Sequence, residues 1–137
     1  MNWLIKNDLA EIEQLAEKIE TFGKSRGISV ALINNINLSL DELITNTINY
    51  GYRDELEHQI KIDLQLSEME AVVELRDDGL PFNPLERPDP DINKELDDRE
   101  IGGLGIYLVR QLMDQVEYQR RGEENIIVMK KRLHTNC

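Results

Sequence analysis

The hydrophobic repeat of this chain changes period just after Gly51, and that change restricts it to folds in which two helices precede a sheet and pack upon it. Leu9, Ile12, Leu15, Ala16, Ile19 and Phe22 follow helical spacing, with Asp8 placed to cap the start and Gly23 and Gly27 available to end the run. Ser29 is placed to cap a second helix that should stop near Gly51. In it, Ile33, Ile36, Leu40, Leu43, Ile44 and Thr47 gather on one side, while Glu42, Asn46 and Asn49 form a polar stripe on the other. Beyond Gly51 the period becomes two. Ile60, Ile62, Leu64 and Leu66 alternate with Lys61, Asp63 and Gln65, and a second strand follows over residues 71–77. The short Ser67-Glu68-Met69-Glu70 connection predicts an antiparallel hairpin.

Helical spacing returns from Gly105 to Asp114 through Ile106, Val109, Leu112 and Met113. Two closing strands, near residues 116–121 and 125–132, meet at a turn around Gly122-Glu123-Glu124, and residues 2–6 form a short first strand. All four prolines fall between Leu80 and Gly103, a stretch rich in acids and poor in apolar anchors that reads as a long functional loop. The expected architecture is α+β, a two-layer α/β sandwich whose mixed, mostly antiparallel sheet is covered by helices on one face. At 137 residues the chain is read as one domain, 1–137, able to bury a core without disulfides.

Charge narrows the function. A formal net charge of −11 repels phosphate backbones and anionic lipid, and Lys130-Lys131-Arg132 is too short a basic run to offset it, so neither nucleic acid nor membrane is an expected partner. An acidic protein that binds an anion such as ATP needs a divalent cation and backbone dipoles, which implies Mg2+. The single cysteine, Cys137, excludes an intramolecular disulfide and a Cys-based metal site. Residues 1–6 carry no charged leader, and no window reaches membrane-span length, so a cytoplasmic protein is expected.

Three constellations carry chemistry. Glu42 and Asn46 set a carboxylate and a carboxamide one helical turn apart, a pair suited to a hydrated cation. Read plainly, they are the wet face of an amphipathic helix. Asp77 ends a strand on the same side as Val73 and Leu75, so it points inward, where a carboxylate needs donors, an adenine amino group among them. Gly79 removes a side chain where a planar base would approach, although Asp77-Asp78-Gly79 also reads as a simple strand-ending turn. Gly102-Gly103-Leu104-Gly105 stands directly before an apolar helix, where free amides favour an anion or where the glycines form a hinge and cap.

The three occur in one order within a single domain's length, and there the chain resembles the ATP-binding superfamily of gyrase, histidine kinases and mismatch-repair ATPases, built on the Bergerat fold. It is most similar to the small bacterial anti-sigma-factor serine/threonine kinases, with Gly102-Gly103-Leu104-Gly105-Ile106-Tyr107-Leu108-Val109 and Met113-Asp114 as the most specific string. The resemblance implies that Glu42 acts as catalytic base and that Asn46 coordinates magnesium. It further implies that Asp77, followed by Gly79, binds the adenine, and that Gly103, Leu104 and Gly105 form the hinge of an ATP lid spanning about residues 80–103. Arg99 is the candidate for an added positive charge in that lid. Pro81 stands where many superfamily members have a second glycine, and Pro81-Phe82 looks like the anti-sigma branch.

The implied activity is transfer of the γ-phosphoryl group of ATP to a serine or threonine of an anti-anti-sigma partner. A sigma factor is a further possible partner, and a homodimer is what the family implies. The alternative is a nucleotide-dependent module that sequesters a regulator without phosphorylating it; an ATPase driving its own motion is weaker, for want of a transducer domain. A histidine kinase is disfavoured because His58 and His134, the only histidines, read as surface residues.

Overall fold

The computed structural model describes residues 1–86 and 103–133. Their elements run β1 (Asn2–Lys6), α1 (Ala10–Ser25), α2 (Val30–Tyr50), β2 (Gln59–Leu66), β3 (Glu70–Asp77), a 3-10 turn (Pro84–Glu86), α3 (Gly103–Leu112), β4 (Gln115–Arg121) and β5 (Glu124–Arg132). The five strands form one sheet in the order β1-β2-β3-β5-β4. Every pairing in it is antiparallel, so the sheet contains no parallel pair among the described residues.

The termini of the helices follow from local chemistry. Asp8 accepts the Ala10 amide at 3.0 Å, and Ser29 Oγ accepts the Leu32 amide at 3.2 Å. At the end of α1, Ile28 N–H reaches back to the Gly23 carbonyl and Gly27 N–H to that of Lys24. Gly27 takes φ +75°, the left-handed conformation this paired cap requires. Helix α2 ends at Gly51, whose N–H bonds the Thr47 carbonyl at 2.8 Å.

The core lies between the helices and one face of the sheet. Ile60, Ile62 and Leu64 of β2, Ala71, Val73 and Leu75 of β3, and Ile127 and Met129 of β5 are all buried. The register aligns them in rows, with Leu75 between Ile62 and Ile127, and Val73 between Leu64 and Met129. Leu15 and Ile19 of α1, the apolar side of α2, and Ile106 and Val109 of α3 close the layer from above. Burying each of these large side chains contributes about 1.5–3 kcal/mol, enough to hold α3 as a helix although its first turn contains two glycines. Helix α3 begins at Gly103, two residues earlier than the apolar spacing predicts, so Gly103 and Gly105 belong to its first turn and do not precede it. Among the described residues no helix is long and apolar enough to cross a membrane.

Candidate active site

The inward row of β3 ends in Asp77 and that of β5 begins with Asn125, and the two face each other across the ladder. The core face of the sheet therefore turns polar at one end. Asp77 is only 4% exposed and Asn125 only 3%. Asp77 Oδ1 accepts Nδ2 of Asn125 at 3.0 Å and the Gly79 amide at 2.9 Å. Burial pushes the Asp77 pKa up, while those two hydrogen bonds and the charge of Arg120 pull it back. Arg120 also donates to the Gly79 carbonyl at 2.8 Å.

A narrow cleft opens beside Asp77, lined by Leu43, Asn46, Thr47 and Gly51 from the α2 side and by Phe82, Pro84, Asn125 and Ile127. Its free volume of about 10 Å³ holds no more than about one water. Asn46 departs from the expected solvent stripe. It is buried, 8% exposed, while Asn49 one turn-fraction on is exposed and away from the cleft. The boundary of the core face passes between them because α3 and the segment after β3 cover the Asn46 side of α2. The Asn46 carboxamide has no hydrogen-bond partner among the described residues, so a polar group stands ready inside the cleft.

Glu42, one turn before Asn46, lies against α3. A Cβ built on Gly105 would fall 2.1 Å from Glu42 Oε2 and 2.9 Å from its Cδ, so the glycine is what lets the carboxylate occupy that position. Partial burial, followed by the neighbouring Asp41 charge, raises the Glu42 pKa. Gly79 also serves a neighbour that its sequence context does not announce. Its Cβ would lie 2.5 Å from the Gly51 carbonyl oxygen, so the missing side chain makes room for the protein's own backbone. Leu80 N–H bonds that same carbonyl at 2.8 Å.

Comparison with known proteins identifies the setting of this geometry. A family model described as the histidine kinase-like ATPase domain matches residues 5–131. The chain belongs to that family. Within the histidine kinase-like ATPase family, it is 27% identical over 101 residues to the serine/threonine-protein kinase BtrW of Bordetella bronchiseptica, covering 74% of this chain and 71% of BtrW. It is 27% identical to the serine-protein kinase RsbW of Listeria monocytogenes, covering 66% of this chain and 60% of RsbW. The anti-sigma F factor of Clostridium beijerinckii is 23% identical, covering 74% of this chain and 72% of that protein. Among solved structures, the RsbU and RsbW domains of Rv1364c from Mycobacterium tuberculosis superpose with a TM-score of 0.65 over 96% of this chain and 31% of that one, at 9% identity. A histidine kinase domain from Erythrobacter litoralis gives a TM-score of 0.53 over 90% of this chain and 59% of that one, at 18% identity. These two likenesses concern the fold.

Of the expected site residues, the structure brings Asn46 and Asp77 into one cleft and Glu42 into contact with Gly105. Gly103 starts α3, and the Leu104 side chain lies outside what the structure describes. Arg99 and most of the expected lid, like His134, lie outside the described residues. His58 lies near the surface, as expected, but is fastened on three sides. Its Nε2 pairs with Asp54 at 2.6 Å and its Nδ1 with Asp78 at 3.1 Å, and its ring stacks on Tyr52 at 4.3 Å between centroids. Sequence reasoning missed Asn125, although alternation with Ile127 and Met129 already places it on the core face beside Asp77.

The residues present suit a nucleotide and its cation. Asp77 offers an inward acceptor, and the buried Asn46 carboxamide lacks a protein partner. Among the described residues no group of three or more His, Cys, Asp or Glu side chains is arranged to hold a metal. A Mg2+ site would rely on one or two protein oxygens together with water and phosphates.

Proposed function

We propose that this chain is an ATP-dependent serine/threonine protein kinase of the anti-sigma type, passing the γ-phosphoryl group of Mg-ATP to a hydroxyl of an anti-anti-sigma partner. The observation that carries the reading is the convergence of Asn46 and Asp77 on one cleft, with Glu42 a single helical turn from Asn46 and seated against Gly105. The names of the curated relatives, serine-protein kinase and anti-sigma factor, support it.

Mg-ATP supplies the transferable group and the cation that neutralises its charge, and the protein's share is positioning. Asp77 would accept from the base. The Asn46 oxygen would hold the cation, and Glu42 would take the proton of the acceptor hydroxyl, a role its raised pKa favours. Gly103 and Gly105 give the first turn of α3 the bare backbone amides that suit a phosphate. Because the cleft has room for about one water, a base would need the cleft to widen as it enters. Arg99 is proposed to supply an additional positive charge. A single domain over 1–137, a homodimer, a cytoplasmic setting and a sigma factor as second partner belong to the same proposal.

Incubation with γ-labelled ATP and candidate single-domain partner proteins tests it. Label on a partner serine or threonine is the expected result. Tight nucleotide-dependent binding without label, or release of free phosphate alone, overturns the kinase reading in favour of a sequestering module or an ATPase. Mg-ATP at a hundred times its Kd raises stability by about 2.7 kcal/mol, and an unchanged Tm with saturating Mg-ATP removes the nucleotide reading altogether.

A further inference from the structure

Asn125 is the most completely bonded side chain near the cleft. Its Nδ2 donates to Asp77 Oδ1 at 3.0 Å and to the Leu80 carbonyl at 2.8 Å. Its Oδ1 accepts the Tyr118 hydroxyl at 2.6 Å and the Phe82 amide at 3.4 Å. A buried carboxamide has two donors and one accepting oxygen, and here every one of them is engaged. The orientation of the amide is over-determined. A carboxylate and a carbonyl only accept, and a backbone amide only donates, so turning the group over would set oxygen against oxygen twice and leave the Phe82 N–H facing another donor.

The consequence falls on Asp77. Both of its hydrogen bonds, from Asn125 and from the Gly79 amide, end on Oδ1. Oδ2 receives none among the described residues, although Asp77 lines the cleft. The carboxylate is thus gripped by one oxygen and offers the other. The same carboxamide also ties down Leu80 and Phe82, so the cleft wall and the carboxylate are set by one residue. Tyr118 reaches Asn125 from β4 and is not among the residues lining the cleft, so its influence on anything bound there passes through Asn125.

We propose that Asn125 is a positioning residue for base selection: it fixes the Asp77 carboxylate so that Oδ2 accepts from the exocyclic amine of a 6-aminopurine, and Tyr118 sets the Asn125 amide. This rests on the reading of Asp77 as the base-recognising acceptor. A purine with oxygen in place of that amine presents an acceptor to an acceptor and is rejected, and the strength of rejection depends on how firmly Oδ2 is held.

The test compares Kd values for ATP and ITP, which carries the 6-oxo group, in the wild-type chain, in Asn125→Leu and in Tyr118→Phe, with Tm recorded for each. Wild type prefers ATP. Asn125→Leu lowers the ATP-to-ITP preference by about tenfold, and Tyr118→Phe by about threefold, corresponding to one lost buried hydrogen bond at or behind the carboxylate. A lowered Tm with an unchanged preference in Asn125→Leu makes Asn125 a merely structural residue and overturns the proposal. Should Asn125→Leu fail to fold, Tyr118→Phe decides, since an unchanged preference there overturns it equally. If the wild-type chain binds ATP and ITP alike, the reading of Asp77 fails first, an outcome separate from loss of the Asn125 effect alone.

Discussion

The two ends of the candidate site are built by opposite means. Around Asp77, polar groups are buried and bonded to one another, through Asn125, Gly79, Tyr118 and Arg120. Around Glu42 and Asn46, position is set by contact alone, since neither side chain forms a hydrogen bond among the described residues. A bonded buried network is rigid and specific, whereas groups held by contact alone keep more freedom to move. The Asp77 end is therefore ordered before any ligand arrives, with Oδ2 left open, and in the proposed reading the Glu42 and Asn46 end is completed by what binds there.

The comparison is sharpened most by Glu42→Gln. It should lower phosphoryl transfer by about 10²–10⁴-fold while changing the Kd of Mg-ATP by less than about threefold, as measured by transfer assays and titration calorimetry. Equal losses in both would break the distinction. Asp77→Asn acts on the other end and should weaken ATP binding by about 100-fold or more, because the amide turns a donor towards the base amine. The same change stabilises the free protein. The Asp77 pKa is raised above its ordinary 3.8, so its favourable contribution is fully present below that value and declines as pH rises through the folded pKa. Asn carries no such loss, so the variant should melt above wild type at neutral pH and not below about pH 3.8; the reverse order would contradict a costly buried carboxylate.

One substitution made at each end probes rigidity directly. An added Cβ at Gly79 would meet the Gly51 carbonyl at 2.5 Å, backbone that cannot yield, and Gly79→Ala should cost about 2 kcal/mol or more. At Gly105 it would meet the tip of Glu42 at 2.1 Å, a side chain free to swing aside. Gly105→Ala should leave stability within about 1 kcal/mol, since alanine favours helix, yet reduce transfer by about tenfold as Glu42 is displaced. Equal melting temperatures for the two alanine variants would remove the contrast.

The smallest effect belongs to the His58 bridge, which fastens Asp78 to the loop before β2. Its hydrogen bond to Asp54, with Asp78 adding to it, raises the His58 pKa above 6.5, and the same bond lowers that of Asp54 below 3.8. The raised histidine contributes stability fully present below pH 6.5 and lost as pH rises through its folded pKa. The lowered aspartate contributes above 3.8 and is lost as pH falls through its own. The Tm advantage of wild type over His58→Gln should therefore be largest in mildly acid buffer and shrink towards about pH 9; a difference flat across that range would show that the ring acts by stacking on Tyr52 alone.

Most of the fold was legible because it depends on periodicity. Leu9 to Phe22 and Ile33 to Thr47 could only hide their apolar sides as helices, and Ile60 to Leu64 only as a strand. The site was legible in part. Asp77 followed from alternation, and Glu42 and Asn46 from helical spacing, but Asn46 was assigned to solvent because the single-helix pattern does not say which neighbours cover its edge. His58 shows the same limit, since nothing near it in sequence announces Asp78, twenty residues on, as its partner.

Local repeat and capping chemistry by themselves determined the helices, the strands, the hairpins and the inward turn of Asp77, because each depends on residues within a few positions of one another. Only the tertiary structure decided that Asn125 would face Asp77, that Gly79 would yield its space to Gly51, and that Gly105 would seat the carboxylate of Glu42. Those contacts join residues far apart in the chain. Sheet register and helix packing set them, and neither is written in the pattern of any one segment.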